Sequence, residues 1–139
     1  MFEHFEHKAD IGIRGFGATL EEAFVEAAKA MTDVIVDVKS VGKDKKELIQ
    51  ANANDEAALL VAFLNQILFI KDTKKLIFSD FVVHIAKQGE KFQLRAKAAG
   101  TTLDPKKHNF KVDVKAATYS ELKVAKQGPK WIAQCIVDV

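Results

Sequence analysis

Two aspartates sit where their neighbours favour burial. Asp10 interrupts the run Ala9-Asp10-Ile11-Gly12-Ile13, and Asp138 follows Ile132, Ala133, Cys135, Ile136 and Val137 near the other end of the chain. A carboxylate beside a strand interior must be solvated, paired or bound to a cation. If the first and last strands bring their ends together, Asp10, Asp138 and the carboxyl oxygens of Val139 form an oxygen-only, anionic pocket suited to a hard divalent cation. In the plainer alternative Asp10 caps a turn through neighbouring N–H groups and Asp138 pairs with a surface lysine. The separation of the two aspartates along the chain carries no spacing signal, so the residues alone leave both readings open.

Other chemistry is less well supported. Gly12, Gly15 and Gly17 lack the Lys-Ser or Lys-Thr of a phosphate-binding loop and do not fit the dinucleotide fingerprint, so they read as turn or close-packing positions. Cys135 lies in an apolar run, Trp131 to Val137, where a thiol is inert packing. The histidines His4, His7, His84 and His108 are dispersed, and His4 and His7 fall on opposite faces if their segment is extended. They do not have the spacing of a zinc site.

These residues need elements to position them. Thr19 with Glu22 three residues later is a capping box, with Thr19 accepting from the third helical N–H and Glu22 reaching back to the cap N–H. Leu20, Phe24, Ala27, Met31 and Ile35 continue it as an amphipathic helix. A second helix is predicted from Asn54 or Asp55 through Leu59, Leu60, Phe63, Leu64, Ile67 and Leu68 to about Lys71, apolar on most of its circumference and so central or beneath a partner. Alternation marks strands at Phe92-Leu94-Ala96-Ala98, Val112-Val114-Ala116 and Leu122-Val124, with hairpin turns at Gln88-Gly89 and Gly128-Pro129. The expected fold is α+β, a sandwich of two helices packed on a mixed, largely antiparallel sheet.

A length of 139 residues and 48% hydrophobic content suffice for one self-supporting domain over 1–139. One cysteine permits no internal disulfide, and neither a secretory signal nor a membrane-length apolar stretch is visible, which together predict a cytoplasmic protein. A net charge of +2 is too small to imply steering toward nucleic acid, so direct RNA binding is not expected. The lysines beyond Thr101 are scattered and read as a solvated face.

A longer pattern runs through His7-Lys8-Ala9-Asp10-Ile11-Gly12-Ile13-Arg14-Gly15-Phe16-Gly17, Thr19-Leu20-Glu21-Glu22-Ala23-Phe24 with Ala27-Ala28, and Phe63-Leu64-Asn65. It continues in Leu103-Asp104-Pro105 with His108, Lys115-Ala116, Thr118-Tyr119, Trp131 with Ala133, and Asp138-Val139. In order and spacing this set resembles the archease family. The resemblance implies an accessory protein, not itself an enzyme, that activates an RtcB-type RNA ligase in tRNA splicing and RNA repair by promoting guanylate loading and repeated turnover. It implies association with RNA only through the ligase, and a divalent-metal site, calcium first with magnesium or manganese as alternatives. Carried onto this chain, the metal ligands are Asp10, Asp138 and Val139. Lys115, which cannot ligate a metal while protonated, becomes a contact for phosphate, nucleotide or an acidic ligase surface. The chain departs from the family pattern at Lys8, Thr101 and Ser120, and Lys8 is a potential counter-ion for Asp10. The competing functions are a metal-dependent phosphohydrolase acting on RNA ends or nucleotides and a general chaperone, which would need a sizeable exposed apolar patch.

Overall fold

The computed structural model describes residues 1–139. Strands β1 (Phe2–His7) and β2 (Asp10–Gly17) form a hairpin, followed by helix α1 (Leu20–Ile35) and one 3-10 turn at Val38–Ser40. Then come β3 (Lys45–Ala53), helix α2 (Glu56–Lys74), β4 (Leu76–Gln88), β5 (Lys91–Thr102), β6 (Ala116–Ala117), β7 (Lys123–Gln127) and β8 (Lys130–Asp138). The strands divide into two sheets, and every ladder is antiparallel. The larger has the order β1-β2-β8, with β8's far edge shared by β7 at its start and β6 at its end. The smaller has the order β3-β5-β4. Each helix contacts strands of both sheets.

Local chemistry sets the helix starts. Thr19 Oγ1 accepts from Glu22 N at 3.1 Å, while Glu22 Oε2 accepts from Ala18 N at 2.9 Å, one residue before the cap N–H that the sequence pattern designates. Asp55 caps α2 by accepting from Ala58 N at 2.7 Å. Helix α2 continues to Lys74, past the expected end near Lys71, and Lys75 closes it in the left-handed region at φ 58°. No helix is long and apolar enough to cross a membrane.

One core of 34 buried residues unites the helices and the sheets. At its centre Phe24 of α1 stacks on Phe63 of α2 with centroids 6.2 Å apart, and Phe63 meets Phe81 of β4 edge-on at 6.0 Å. Helix α1 lies so close to β2 that a Cβ at Gly15 would collide with the Ala27 nitrogen and the Ala23 carbonyl oxygen. This approach explains the glycine at position 15 by packing, not by phosphate binding.

The expected strand through Val112 and Val114 is not formed, since only Ala116–Ala117 pairs. The alternation is real, with Val114 fully buried, but residues 112–114 pair with no strand. The segment is held by other bonds: Lys111 N donates to Ile35 O at 2.8 Å, and the buried Lys71 ammonium donates to Asp113 at 2.6 Å and to Asp72 at 2.8 Å. Those two carboxylates outweigh the desolvation of Lys71 and raise its pKa above the ordinary lysine value.

Candidate metal centre

The register of the larger sheet decides which acids can meet. Strand β2 begins at Asp10 and β8 ends at Asp138, and the two run antiparallel with Ile11 opposite Val137. The paired register ends there, and continuing it by one residue on each strand sets Asp10 opposite Asp138. In the same row His7 of β1 pairs with Asp10, and Ala116 of β6 pairs with Asp138. Side chains directly opposite in an antiparallel ladder share a face, so the row across four strands reads His7, Asp10, Asp138, Ala116.

Both ends of this row are fixed by identifiable contacts. Lys8, at φ 54°, makes the left-handed turn that closes the two-residue β1–β2 hairpin. Phe5 covers Gly12, where a Cβ would strike its ring. On the other side, Lys115 N donates to Asp138 O at 2.8 Å, and Asn65 of α2 clamps β6 in place of a further strand. The Asn65 amide donates to Ala117 O at 3.1 Å, and its carbonyl accepts from Ala117 N at 2.8 Å. Asn65 is a positioning residue whose role the sequence did not reveal. An amide within the long apolar stretch of α2, with Gln66 beside it, is the signal that could have pointed to it.

Neither aspartate is neutralised. The acids held by cations are Glu3, Glu26, Asp33, Glu47, Asp72, Asp80 and Asp113, and neither Asp10 nor Asp138 is among them. The arginine on this face, Arg14, is already committed: it pairs with Glu3, donates from Nε to Gln134 at 2.7 Å, and lies 4.5 Å over the Phe5 ring. Lys8 is not paired with Asp10, and the Asp10 side chain caps no N–H. Two like charges facing each other across a ladder are destabilising. His7 Nδ1 in the same row is buried without a hydrogen-bond partner, a further uncompensated polar atom.

Carboxylate and main-chain oxygens are the donors that a hard cation takes. Nowhere does a group of three or more His, Cys, Asp or Glu side chains assemble, so the site offers two carboxylates supplemented by main-chain oxygen, with Val139 adjacent and half-buried. Calcium and magnesium complete such partial oxygen shells with carbonyls and water, whereas structural zinc requires four protein ligands. Lys115 joins the site through its backbone, and its side chain is exposed. It stands one position out of step with Ala116, the residue opposite Asp138.

Two other sequence candidates have structural explanations. Cys135 is fully buried in β8, and burial pushes its thiol up to about 12, which removes it as a nucleophile. His108, also buried, closes the turn after β5 by accepting from Asp104 N through Nδ1 at 3.1 Å.

Residues 2–139 match the model of the Archease protein family. The chain is 44% identical to Protein archease of Pyrococcus furiosus, covering 100% of this chain and 99% of that one. It is 45% identical to Protein archease of Pyrococcus abyssi, covering 99% and 98%. In structure it is similar to Methanobacterium thermoautotrophicum protein 1598, solved in solution, with a TM-score of 0.87 and 31% identity over 99% of this chain and 98% of that one. It also shares a fold with a Thermotoga maritima archease, described as a possible chaperone, at TM-score 0.58 and 17% identity over 99% and 96%.

Proposed function

The chain belongs to the archease family, and from that premise we propose that it is a metal-binding accessory protein that activates an RtcB-type RNA ligase. The observation that carries the metal half of this reading is the placement of Asp10 opposite Asp138 with no protein counter-ion for either. The activating half comes from the family resemblance, and RNA reaches the protein through the ligase in this reading.

Asp10 and Asp138 would hold the cation through carboxylate oxygens, with Val139 adding main-chain oxygen. When bound, a calcium, magnesium or manganese ion there supplies a positive, Lewis-acidic centre for phosphate oxygens. The chain's own residues set the surroundings. The β1–β2 hairpin and β8 fix the two carboxylates on one face, Asn65 secures the strand beside Asp138, and Lys115 offers a flexible ammonium to a phosphate or to an acidic ligase surface.

The test is a guanylate-loading and turnover assay of the cognate ligase, with and without stoichiometric protein, in wild type and Asp10→Ala. Wild type should raise both quantities. Asp10→Ala, folded by circular dichroism, should lose most of the effect. Unchanged loading and turnover with the wild-type protein would exclude the activating role, and full activation by Asp10→Ala would remove Asp10 from it.

A further inference from the structure

The face of the smaller sheet that points away from the helices is uncovered, and its charge is one-sided. Along the central strand β5, Lys91, Gln93, Arg95 and Lys97 alternate outward, all exposed, while Leu94, Ala96 and Ala98 between them are buried. The register sets Leu48 and Val82 on either side of Lys97, Gln50 and His84 beside Arg95, and Asn52 and Ala86 beside Gln93. Lys46 lies one row beyond, opposite Ala99. Lys46, Lys91, Arg95 and Lys97 take part in no ion pair. The only acid on the face, Asp80, already lies 3.8 Å from Lys43 and 4.0 Å from Lys29. Four cations and one acid give this face +3, against +2 for the whole chain, so the remainder is slightly acidic. The net charge thus conceals a local basic stripe.

We propose that this face docks an RNA strand through its phosphate backbone. The three cations of β5 lie in a line roughly 20 Å long, taking about 3.3 Å per residue. A line of unpaired cations separated by an amide complements a linear polyanion. The face has no Phe, Tyr or Trp and its one ring is the exposed imidazole of His84, so it offers neither a row of stacking platforms for successive bases nor the Tyr or Trp anchor typical of a protein hot spot. Binding is therefore backbone-directed, weak in sequence preference and strongly salt-dependent. The choice of RNA over DNA rests on the proposed ligase setting, whereas binding of a nucleic-acid strand rests on the face alone.

The experiment measures fluorescence anisotropy of a labelled single-stranded oligouridylate with the protein alone, in chelator, over a range of potassium chloride concentrations. Neither ligase nor divalent cation is present, so its failure is distinguishable from failure of the ligase reading. Binding should weaken with salt with a log–log slope of about −3, from roughly 0.7 for each of four cations. The triple variant Lys91→Glu, Arg95→Glu, Lys97→Glu should lose about tenfold or more in affinity. A control with the same net charge, Lys39→Glu, Lys106→Glu, Lys126→Glu, should lose much less. Glutamine replacements at 91, 95 and 97 supply the comparison if the charge-reversed form does not fold. No binding by wild type, or equal losses in the face and control variants, would overturn the proposal. Equal competition by polyglutamate would assign the face to an acidic polypeptide and overturn the RNA assignment.

Discussion

At the scale of single residues, the informative feature is a pair of carboxylates without partners. Asp10 and Asp138 fall in one row of the larger sheet when its register is continued, and neither forms an ion pair. Like charges directly opposite on a sheet are destabilising. A bound divalent cation would reverse that sign and stabilise the fold in proportion to the logarithm of its concentration over Kd. Two opposed effects are therefore expected of Asp138→Asn. In chelator its melting temperature should equal or slightly exceed that of wild type, because one of two repelling charges is gone. In millimolar calcium the wild type should gain stability and the variant should gain little. Melting curves under both conditions decide the matter, and a calcium-induced rise in the variant as large as in wild type would remove Asp138 from the cation site.

At the scale of elements, the strand beside Asp138 is very short. β6 is two residues long and is bonded to β8 on one side only, through Lys115 N and Thr118 N, so the paired hydrogen bonds of Asn65 do on its other side what another strand would. Asn65→Leu keeps the volume but leaves the N–H and C=O of buried Ala117 without partners, at about 1–3 kcal/mol for a lost buried partner. The expected result is a moderate loss of stability with native circular dichroism, accompanied by faster amide exchange in β6 and weaker calcium binding. A variant whose stability falls while exchange at Ala117 and calcium affinity stay at wild-type values would show that Asn65 supports the core alone and not the site. The Val112–Val114 segment makes a related point. Its alternation reports correctly which side chains are buried, yet side-chain bonds from Lys71 and backbone bonds to Ile35 take the place of a ladder.

At the scale of the whole molecule, the helices join the sheets. Phe24, Phe63 and Phe81 link α1, α2 and β4 within a single buried cluster, so neither sheet has a core of its own. Thermal unfolding should then be one cooperative transition, with an enthalpy near 100 kcal/mol from about 0.7 kcal/mol per residue, and with calorimetric and van't Hoff enthalpies equal. Two separable transitions would mean that the sheets unfold independently. The same architecture turns the far side of the smaller sheet outward, and that exposure collects Lys46, Lys91, Arg95 and Lys97 into one stripe.

The sequence by itself determined what depends on near neighbours. The Thr19 and Asp55 caps, the amphipathic stripe of α1, the apolar girth of α2, the turns at Gly89 and Gly128 and the inward set Leu94, Ala96 and Ala98 all follow from periodicity and local hydrogen bonding, and all are present. The extended motif set likewise identified the family. Only the tertiary structure decided what depends on contacts between distant segments. Antiparallel pairing of β2 with β8 brings Asp10 opposite Asp138, a clamp from α2 holds β6, and the β5 register gathers charges that an overall sum of +2 hides. A strand's alternation says which residues share its face, but it carries no information about which other strand lies beside it or in what register. Those are fixed by how the helices and sheets pack around their common core.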